Sequence, residues 1–193
     1  MKIRPLTLSD DLDKVAELIY ETDPYIYPYW FKNYTNWKQI LIKLIKTKGS
    51  IFYYKNIIVA VECYTIIGIV IVLDDKDVLN YNYLDLLKVD KYFEYTINNY
   101  IMHICSNINN NAYIPNVCVN ENHRNKGVGY QLINYVKDNY KKDISLHCLS
   151  NNKAAIGLYL KCGFQSLITE KGFNAPHCKK PTIVRMLYIR NTT

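Results

Sequence analysis

The sequence lacks the features that mark secreted or disulfide-stapled proteins. Its six cysteines show no CxxC spacing, and its amino terminus has no charged segment followed by an apolar one, as a secretory signal would require. These absences favour a cytoplasmic protein with free thiols. We also find no internal repeat, low-complexity tract or linker in the sequence, and therefore expect residues 1–193 to form one domain.

Long apolar runs are scarce as well. The segment Ile57–Leu73 is long and apolar enough to raise the question of a membrane span, but Glu62 and Gly68 interrupt it. Its many β-branched residues favour the two strands of a hairpin instead. We therefore expect no membrane partner.

Positive charge is in excess but is not concentrated in one block. The chain carries 24 Lys and Arg residues against 17 Asp and Glu residues, a net charge of +7. The lysines are scattered along predicted helices, which is typical of solvated faces. Because no nucleic-acid motif is recognisable, we expect no nucleic-acid partner, whereas a phosphate-bearing small ligand is compatible with the charge.

Potential metal ligands occur as two adjacent pairs, His147-Cys148 and His177-Cys178. Neighbouring side chains in a strand point to opposite faces of the sheet, so such a pair cannot chelate one ion together. The sequence therefore predicts no metal site.

The pattern of apolar residues predicts alternating strands and helices. We expect strands at 2–7, 57–61, 66–73, 113–119, 144–148, 164–169 and 182–189. We expect helices starting near Leu12 and Trp37 and further helices at about 92–104, 129–141 and 152–161. An antiparallel meander followed by strand, helix, strand, helix and strand predicts a mixed α/β (α+β) fold, with a parallel crossover in the middle unit.

Pro115 interrupts the strand predicted at 113–119. Proline removes one amide donor from the ladder, so this strand is expected to lie at an edge, to carry a bulge, or to splay from a neighbour. A loop is expected at 107–111. The sequence does not indicate a role for the longer segment Asp74 to Asn111.

A turn rich in glycine and basic residues, Arg124-Asn-Lys-Gly-Val-Gly129, links this strand to the next helix. The first amides of a helix have no partner within it and, together with the helix dipole, form a site for anions. Gly127 and Gly129 allow unusual backbone angles and close approach of a phosphate, and Arg124 and Lys126 add charge. The pattern is neither a Walker sequence nor a complete GxGxxG, and a helix that merely begins with glycines remains an alternative.

Together with the preceding Val119, the turn resembles the (Q/R)-x-x-G-x-(G/A) motif of the GNAT superfamily of acyl-CoA-dependent N-acetyltransferases. Further along, Asn152-Lys-Ala-Ala-Ile-Gly-Leu-Tyr-Leu-Lys-Cys-Gly-Phe164 is similar to the second signature of that superfamily, roughly N-x-x-A-x-x-L-Y-x-x-x-G-F. Both motifs stand in the family's order and separation. The resemblance spans essentially the whole chain and is weakest over residues 74–111.

The resemblance implies a GNAT-type fold, in which a mostly antiparallel central sheet of six or seven strands is flanked by helices and has a splayed central strand. It implies acetyl-CoA or CoA as the cofactor, with the pyrophosphate on the amides of 124–129 and the pantetheine arm along the main chain of 117–119. The residues implied to contact the cofactor are Val117, Cys118, Val119, Arg124, Asn125, Lys126, Gly127, Val128, Gly129, Tyr130, Asn152, Ala155 and Tyr159.

Tyr159 matches the position at which many members of the superfamily carry a tyrosine that protonates, or donates a hydrogen bond to, the departing thiolate. An ordinary Tyr with a pKa of about 10 gives its proton to a thiolate of pKa about 8.5 at a cost of roughly 2 kcal/mol. Tyr159 is therefore expected to act mainly as a hydrogen-bond donor. Ala155 lies four residues earlier and shares its helical face.

The general base cannot be assigned from the sequence. Residues 112–119 contain no carboxylate, and Asn116 could at most hold a water. Glu21 and Asp23 are weak candidates because they sit in the aromatic loop 21–31, and the resemblance implies that this loop walls the acceptor site. Glu94 and deprotonation through water are further options. Cys118 as an acetylated nucleophile is disfavoured, because no His is placed by the sequence to activate it.

The function indicated is transfer of an acetyl group from acetyl-CoA to a primary amine by direct attack in a ternary complex. The acceptor is a small-molecule or peptide amine, and the protein is a monomer or homodimer. The alternative is a catalytically silent domain of GNAT fold that binds CoA as a ligand or a signal.

Overall fold

The computed structural model describes residues 1–74, 91–108, 111–171 and 182–190. The pair His177-Cys178 and much of the atypical segment after Asp74 lie outside the described residues. The strands are β1 (Lys2–Pro5), β2 (Ile57–Glu62), β3 (Thr65–Leu73), β4 (Ala112–Val119), β5 (Ile144–Leu149), β6 (Gln165–Lys171) and β7 (Thr182–Tyr188). The helices are α1 (Leu12–Glu21), α2 (Ile26–Trp30), α3 (Trp37–Lys46), α4 (Lys91–Ile108), α5 (Val128–Asn139) and α6 (Lys153–Lys161), with short 3₁₀ turns at Tyr54–Asn56 and Glu121–His123.

Within the described residues, the strands form one mixed sheet in the order β1-β2-β3-β4-β5-β7-β6. The β4 and β5 strands are parallel, joined by α5 as the crossover, and the other neighbours are antiparallel. This arrangement confirms the predicted fold class, including the position of the parallel unit.

Buried residues form one core on each face of the sheet. The first core packs α1, α2, α3 and α4 against one face and contains large side chains such as Trp30, Phe52 and Phe93. The second packs α5 and α6 against the other face around Leu132 and Ile133. Both faces are covered by helices, so β3 is an almost uninterrupted run of buried aliphatic residues.

Local side-chain chemistry sets several element boundaries. Asp11 caps α1 by accepting a hydrogen bond from the Lys14 amide at 3.0 Å. The β1 strand ends at Pro5, two residues before the predicted end, because the Thr7 amide and hydroxyl both donate to the Asp10 carboxylate. The same carboxylate accepts two bonds from Arg4, which lowers the pKa of Asp10.

Two helices differ from the predicted pattern. The aromatic loop after α1 contains the short helix α2, because the Asp23 carboxylate accepts the amides of Tyr25 and Ile26 at its start. The α4 helix extends to Ile108, so the loop expected at 107–111 begins later than expected. Both errors arise because apolar periodicity is weak where helices are very short or fray at their ends.

The β4 strand carries one extra residue near Pro115. Asn116 opposes Ile71 and Tyr113 opposes Leu73, so two steps along β3 correspond to three along β4. This bulge shifts the alternation of side chains. Tyr113, Asn116 and Cys118 consequently share the α1 face, whereas Ile114 and Val117 face α5.

Candidate functional site

The central sheet opens between its two parallel strands. Pairing of β4 with β5 covers only Ala112–Ile114 against Ile144–Leu146. It stops at Pro115, which has no amide hydrogen to donate. Pro115 is therefore associated with both a bulge and a splay, two of the three arrangements that the sequence allowed.

The splay leaves main-chain groups of β4 facing the gap. The Asn120 amide donates to the Ile67 carbonyl of β3 at 2.9 Å. Because the direction of these groups alternates along an antiparallel strand, those of Cys118 also point to β3 and those of Val117 and Val119 point into the gap. Of the three residues expected to offer main-chain groups to a ligand, Val117 and Val119 have such groups directed into the gap, whereas those of Cys118 face β3.

Arg124 lies across the exposed end of β4. Its Nε donates to the Val119 carbonyl at 3.0 Å, which occupies that acceptor and anchors the guanidinium beside the gap. The amide of Val119 and both main-chain groups of Val117 remain directed into the gap.

The turn after β4 ends in a helix start with several amides aimed outward. Asn125 and Gly127 adopt left-handed backbone angles, with φ of 62° and 81°. The first main-chain bond of α5 runs from the Gln131 amide to the Gly127 carbonyl at 3.1 Å. The amides of residues 128, 129 and 130 therefore precede the helical ladder, which is the arrangement that binds anions.

The two glycines of the turn have different structural roles. A Cβ on Gly127 would meet open space, but its φ of 81° disfavours any other residue. A Cβ on Gly129 would lie 3.0 Å from Cδ2 of Leu158 on α6. Gly127 therefore shapes the turn, whereas Gly129 permits close packing of α5 on α6 in addition to any approach by a ligand.

A cleft of about 430 Å³ lies over this helix start, and we call it the helix cleft. Its lining includes ten of the predicted cofactor residues: Val117, Val119, Arg124, Asn125, Gly127, Val128, Gly129, Tyr130, Ala155 and Tyr159. Lys126 is exposed and lines none of the cavities described here. Asn152 caps α6 by accepting the Ala155 amide at 3.1 Å and lines two neighbouring cavities but not the helix cleft.

A second cavity of about 140 Å³, the inner cavity, lies between the splayed strands and α1. Its polar lining residues are Thr22, Asp23, Asn116, His147, Asn152 and Tyr159. It shares Val117, Ala155 and Tyr159 with the helix cleft. The two spaces therefore meet at these three residues.

His147 is a candidate functional residue that the sequence reasoning missed. It lies on β5, lines the inner cavity, and has its Nδ1 at 3.0 Å from the Tyr113 hydroxyl of β4. Cys148 points to the opposite face and is buried in the core around α5. Side chains alternate along a strand, and this pattern alone places His147 on the face away from the α5 core. Identifying Tyr113 as its partner required knowledge of how β4 pairs with β5.

Tyr159 is 7% exposed and packs against Phe164 with the two rings tilted, their centroids 5.9 Å apart. Burial raises the pKa of its hydroxyl well above the ordinary value. The hydroxyl is therefore held protonated and is a donor at every physiological pH.

The two candidate carboxylates lie in different surroundings. Asp23 lines the inner cavity, and its Oδ1 accepts the Tyr25 and Ile26 amides at 2.8 and 2.9 Å. Burial raises the pKa of Asp23 above its ordinary value. Glu21 is exposed at the end of α1 and lines a third cavity of about 490 Å³, which opens beside the inner cavity.

Cys118 lies beside Glu21, with Sγ 3.9 Å from Oε2. Burial and this carboxylate raise the pKa of the Cys118 thiol to about 12. Its reactive thiolate form is thus disfavoured at neutral pH. Cys63, Cys148 and Cys162 are also free thiols.

The described residues contain neither a cluster of metal ligands nor a membrane-spanning helix. No group of three or more His, Cys, Asp or Glu side chains in residues 1–74, 91–108, 111–171 and 182–190 is placed to hold a metal ion. None of the helices in those ranges is both long and apolar enough to cross a membrane.

The structure has a splayed parallel pair of strands, an open strand edge and a glycine turn at a helix start. These features are typical of the acyl-CoA-binding transferase fold that the sequence motifs suggested. Residues 20–164 match the acetyltransferase (GNAT) family, and the chain belongs to that family.

Individual relatives show the same relationship. A stretch of 75 residues is 40% identical to GCN5-related N-acetyltransferase 7, chloroplastic, of Arabidopsis thaliana, covering 36% of this chain and 27% of that protein. The chain thus matches about a quarter of the length of this curated relative.

Solved structures share the fold over almost the whole chain. An N-acetyltransferase from Staphylococcus aureus Mu50 is 18% identical with a TM-score of 0.73, covering 97% of this chain and 100% of that one. Arabidopsis thaliana NAA60, solved in complex with acetyl-CoA, is 19% identical with a TM-score of 0.57, covering 98% of both chains. At these identities the likeness shows the fold.

Proposed function

We propose that this protein is an N-acetyltransferase that moves the acetyl group of acetyl-CoA to a primary amine by direct attack in a ternary complex. One observation carries the proposal: the helix cleft and the inner cavity meet at Val117, Ala155 and Tyr159. A donor in the first space and an amine in the second would have their reactive atoms at one point. Holding two reactants in this way is a major source of rate acceleration.

The helix cleft has the chemistry needed to bind acetyl-CoA. The amides of residues 128–130 and the left-handed Gly127 form an anion site for the pyrophosphate. Val117 and Val119 offer main-chain groups at an open strand edge, to which an amide-containing arm can add as a strand does. When bound, acetyl-CoA supplies a thioester carbon as the electrophile. Arg124 adds positive charge at the entrance, and the exposed Lys126 contributes less.

The amine must be neutral to attack. Removing a proton costs about 4.6 kcal/mol at pH 7 for a lysine-like amine of pKa 10.4, and about 1 kcal/mol for an α-amino group of pKa 7.8. A base beside the amine offsets this cost. His147 lines the inner cavity, whereas Glu21 is outside it and Asp23 is committed to two amides.

In this proposal His147 is the general base and Tyr113 is a positioning residue. In the tautomer with Nδ1 protonated and donating to the Tyr113 oxygen, Nε2 is the basic nitrogen of the ring. Tyr113 thereby holds the plane of the imidazole, and the proposed role of His147 requires the tautomer with its hydrogen on Nδ1. This assignment replaces Glu21 and Asp23, the weak candidates from the sequence.

The proposed transfer exchanges the C–S bond of the thioester for a C–N bond. A C–N bond forms between the acetyl carbon and the amine, and the C–S bond breaks. The attacking nitrogen loses one proton to His147, and the departing sulfur receives a hydrogen bond from Tyr159. The proton held by His147 then passes through solvent to this sulfur, which ends as the CoA thiol. Because burial raises the pKa of Tyr159, a hydrogen bond is favoured over full transfer of its proton.

Direct transfer is preferred over a covalent acetyl-enzyme. Cys118, the candidate nucleophile on β4, has a thiol pKa raised to about 12, and its side chain faces α1 instead of the helix cleft. The free thiols also support the proposal of a cytoplasmic location.

The experiment is release of CoA thiol from acetyl-CoA in the presence of four amines: spermidine, kanamycin, lysine and a short peptide with a free amino terminus. Amine-dependent thiol release, with mass spectrometry showing an acetylated amine, is the expected result. Tight CoA binding without release for any of these amines would support the alternative, a silent CoA-binding domain.

A further inference from the structure

Asn116 lies where the bulge of β4 turns a side chain toward α1. It is 3% exposed and lines the inner cavity. Its Nδ2 donates to Thr22 Oγ1 at 2.7 Å and to the Tyr27 hydroxyl at 2.8 Å. Both amide hydrogens are therefore used by α1 and α2.

The orientation of this amide is fixed by the proton of Thr22. The Thr22 hydroxyl has one hydrogen, and it donates to the Ile19 carbonyl at 2.6 Å. Thr22 Oγ1 can therefore only accept from Asn116. A flipped amide would place two acceptors together, so the nitrogen must lie on the Thr22 side and Oδ1 must lie on the other.

Asn116 Oδ1 is left as a buried acceptor with no hydrogen-bond partner among the described residues. Buried carbonyl oxygens in proteins are almost always paired, so this oxygen, on a residue that lines the inner cavity, lacks a donor that a bound molecule can supply. His147 and Tyr159 line the same cavity. The donor that Oδ1 lacks is one that an amine substrate carries.

We propose that Asn116 Oδ1 accepts a hydrogen bond from the acceptor nitrogen and thereby makes the enzyme selective for primary amines. The inference rests on the proposed acetyl transfer. A neutral primary amine has one lone pair and two hydrogens. The lone pair attacks the thioester, one hydrogen goes to His147, and the second binds Asn116. An N-methyl amine has a single hydrogen and leaves either His147 or Asn116 without its partner.

The test compares the best of the four panel amines with its N-methyl derivative. The quantity measured is kcat/KM for the primary amine divided by kcat/KM for its N-methyl derivative. It is obtained by thiol release in the wild type and in Asn116→Ala. The ratio is expected to fall about tenfold in the variant, the factor that corresponds to a hydrogen bond of about 1.4 kcal/mol. If the N-methyl amine gives no turnover, its Ki is divided by the Ki of the acetylated primary amine, and this ratio of binding constants is compared between the wild type and Asn116→Ala instead.

Two further variants keep the result interpretable. Thr22→Val removes the group that fixes the amide orientation, and should lower the ratio by a smaller factor even if Asn116→Ala does not fold. Asn56→Ala alters a buried asparagine that lines none of the cavities described here, and should leave the ratio unchanged.

Equal losses for both amines in Asn116→Ala would overturn the inference, because a structural role or a bound water does not distinguish them. An unchanged ratio in Thr22→Val, where Asn116→Ala cannot be purified, would do the same. Absence of thiol release with all four amines would reject the proposed function instead. The two failures are thus distinguishable.

Discussion

The helix cleft and the inner cavity are built by different means. The cleft is formed largely by main-chain groups from one continuous stretch, 117–130, with α6 as the far wall. The inner cavity is lined by residues that directly follow α1 and by residues of α2, α4, β4, β5, α6 and β7, which are far apart in the sequence. A site made by local backbone geometry leaves a motif, whereas a site made by scattered side chains does not. This difference explains why the sequence predicts a cofactor but does not indicate the acceptor.

The largest effect is expected in the inner cavity, from His147→Gln. Loss of a general base typically costs about 100-fold or more in rate, and here kcat/KM for the amine should fall by about that factor. The rise of kcat/KM with pH that accompanies deprotonation of an imidazole should disappear as well. Steady-state kinetics from pH 6 to 9 give both results.

Tyr113→Phe is the matched control for this change, because it retains His147 but removes the hydroxyl at Nδ1. It should shift the pH profile and lower kcat by a smaller factor than His147→Gln. A wild-type profile in His147→Gln would contradict the assignment of the base.

The next effect is expected in the helix cleft, from Gly127→Val. A β-branched residue is strongly disfavoured at φ of 81°, so the turn should distort and CoA should bind about tenfold more weakly. Isothermal titration calorimetry with CoA measures this directly. Lys126→Ala should have a smaller effect, because that side chain lines none of the cavities described here.

Gly127→Asn separates backbone strain from side-chain bulk, since Asn tolerates left-handed angles and a Cβ at this position meets open space. Its affinity should lie close to that of the wild type. A greater loss in Lys126→Ala than in Gly127→Val would refute the main-chain account of the cleft.

Tyr159→Phe tests the point at which the two regions meet. The variant should lower kcat by about tenfold, the value of one hydrogen bond to a charged leaving group, with little change in acetyl-CoA affinity. Stopped-flow measurement of the chemical step is the appropriate assay. An unaltered rate when chemistry limits turnover would remove Tyr159 from the mechanism.

A smaller effect, on stability, is expected at Asp23. Burial raises its pKa, so its contribution to stability is fully present below the unfolded pKa of about 3.9 and is lost as pH rises through the folded value. At pH 7, Asp23→Asn should therefore leave the Tm equal or slightly higher, since an amide oxygen can still accept the amides of Tyr25 and Ile26.

Asp23→Ala is the control, because it loses the cap and should cost about 1 kcal/mol. Thermal denaturation at pH 5 and pH 7 distinguishes the two variants. A marked loss of stability in Asp23→Asn would show that the ionised carboxylate is favourable after all.

The smallest effect is expected from Glu21→Gln. Glu21 is exposed and outside the inner cavity, so kcat/KM for the amine should stay within about twofold of the wild type, below the usual contribution of a catalytic base. A large loss, with the pH profile altered, would return Glu21 to the role proposed here for His147.

The sequence predicted most of the fold because apolar alternation and helix caps are local signals. Pro115 even indicated the irregular strand, although it could not decide between a bulge and a splay, which occur together. The short helix α2 escaped prediction, because its start depends on the single carboxylate of Asp23. Strand register and bulges depend on neighbouring strands, so local sequence signals do not predict them.

The residues of the candidate site likewise differ in whether local sequence patterns identify them. The glycine turn and Tyr159 were identified from motifs, and their cofactor roles remain predictions. The partnership of His147 with Tyr113 and the orientation of Asn116 required the bulge of β4 and its contacts with α1. The direction of the main-chain groups of Cys118 could not be predicted, because it depends on which neighbouring strand β4 pairs with at that residue.

The most direct test asks whether an acetyl group passes between the two regions without a stop on the protein. Acetyl-CoA labelled in its acetyl group is mixed with an equimolar amount of the protein, and the best panel amine is added afterwards. The label should stay on acetyl-CoA until the amine arrives and then appear only on the amine. Label on the protein before the amine is added, or no transfer after it, would contradict direct transfer between the cleft and the cavity.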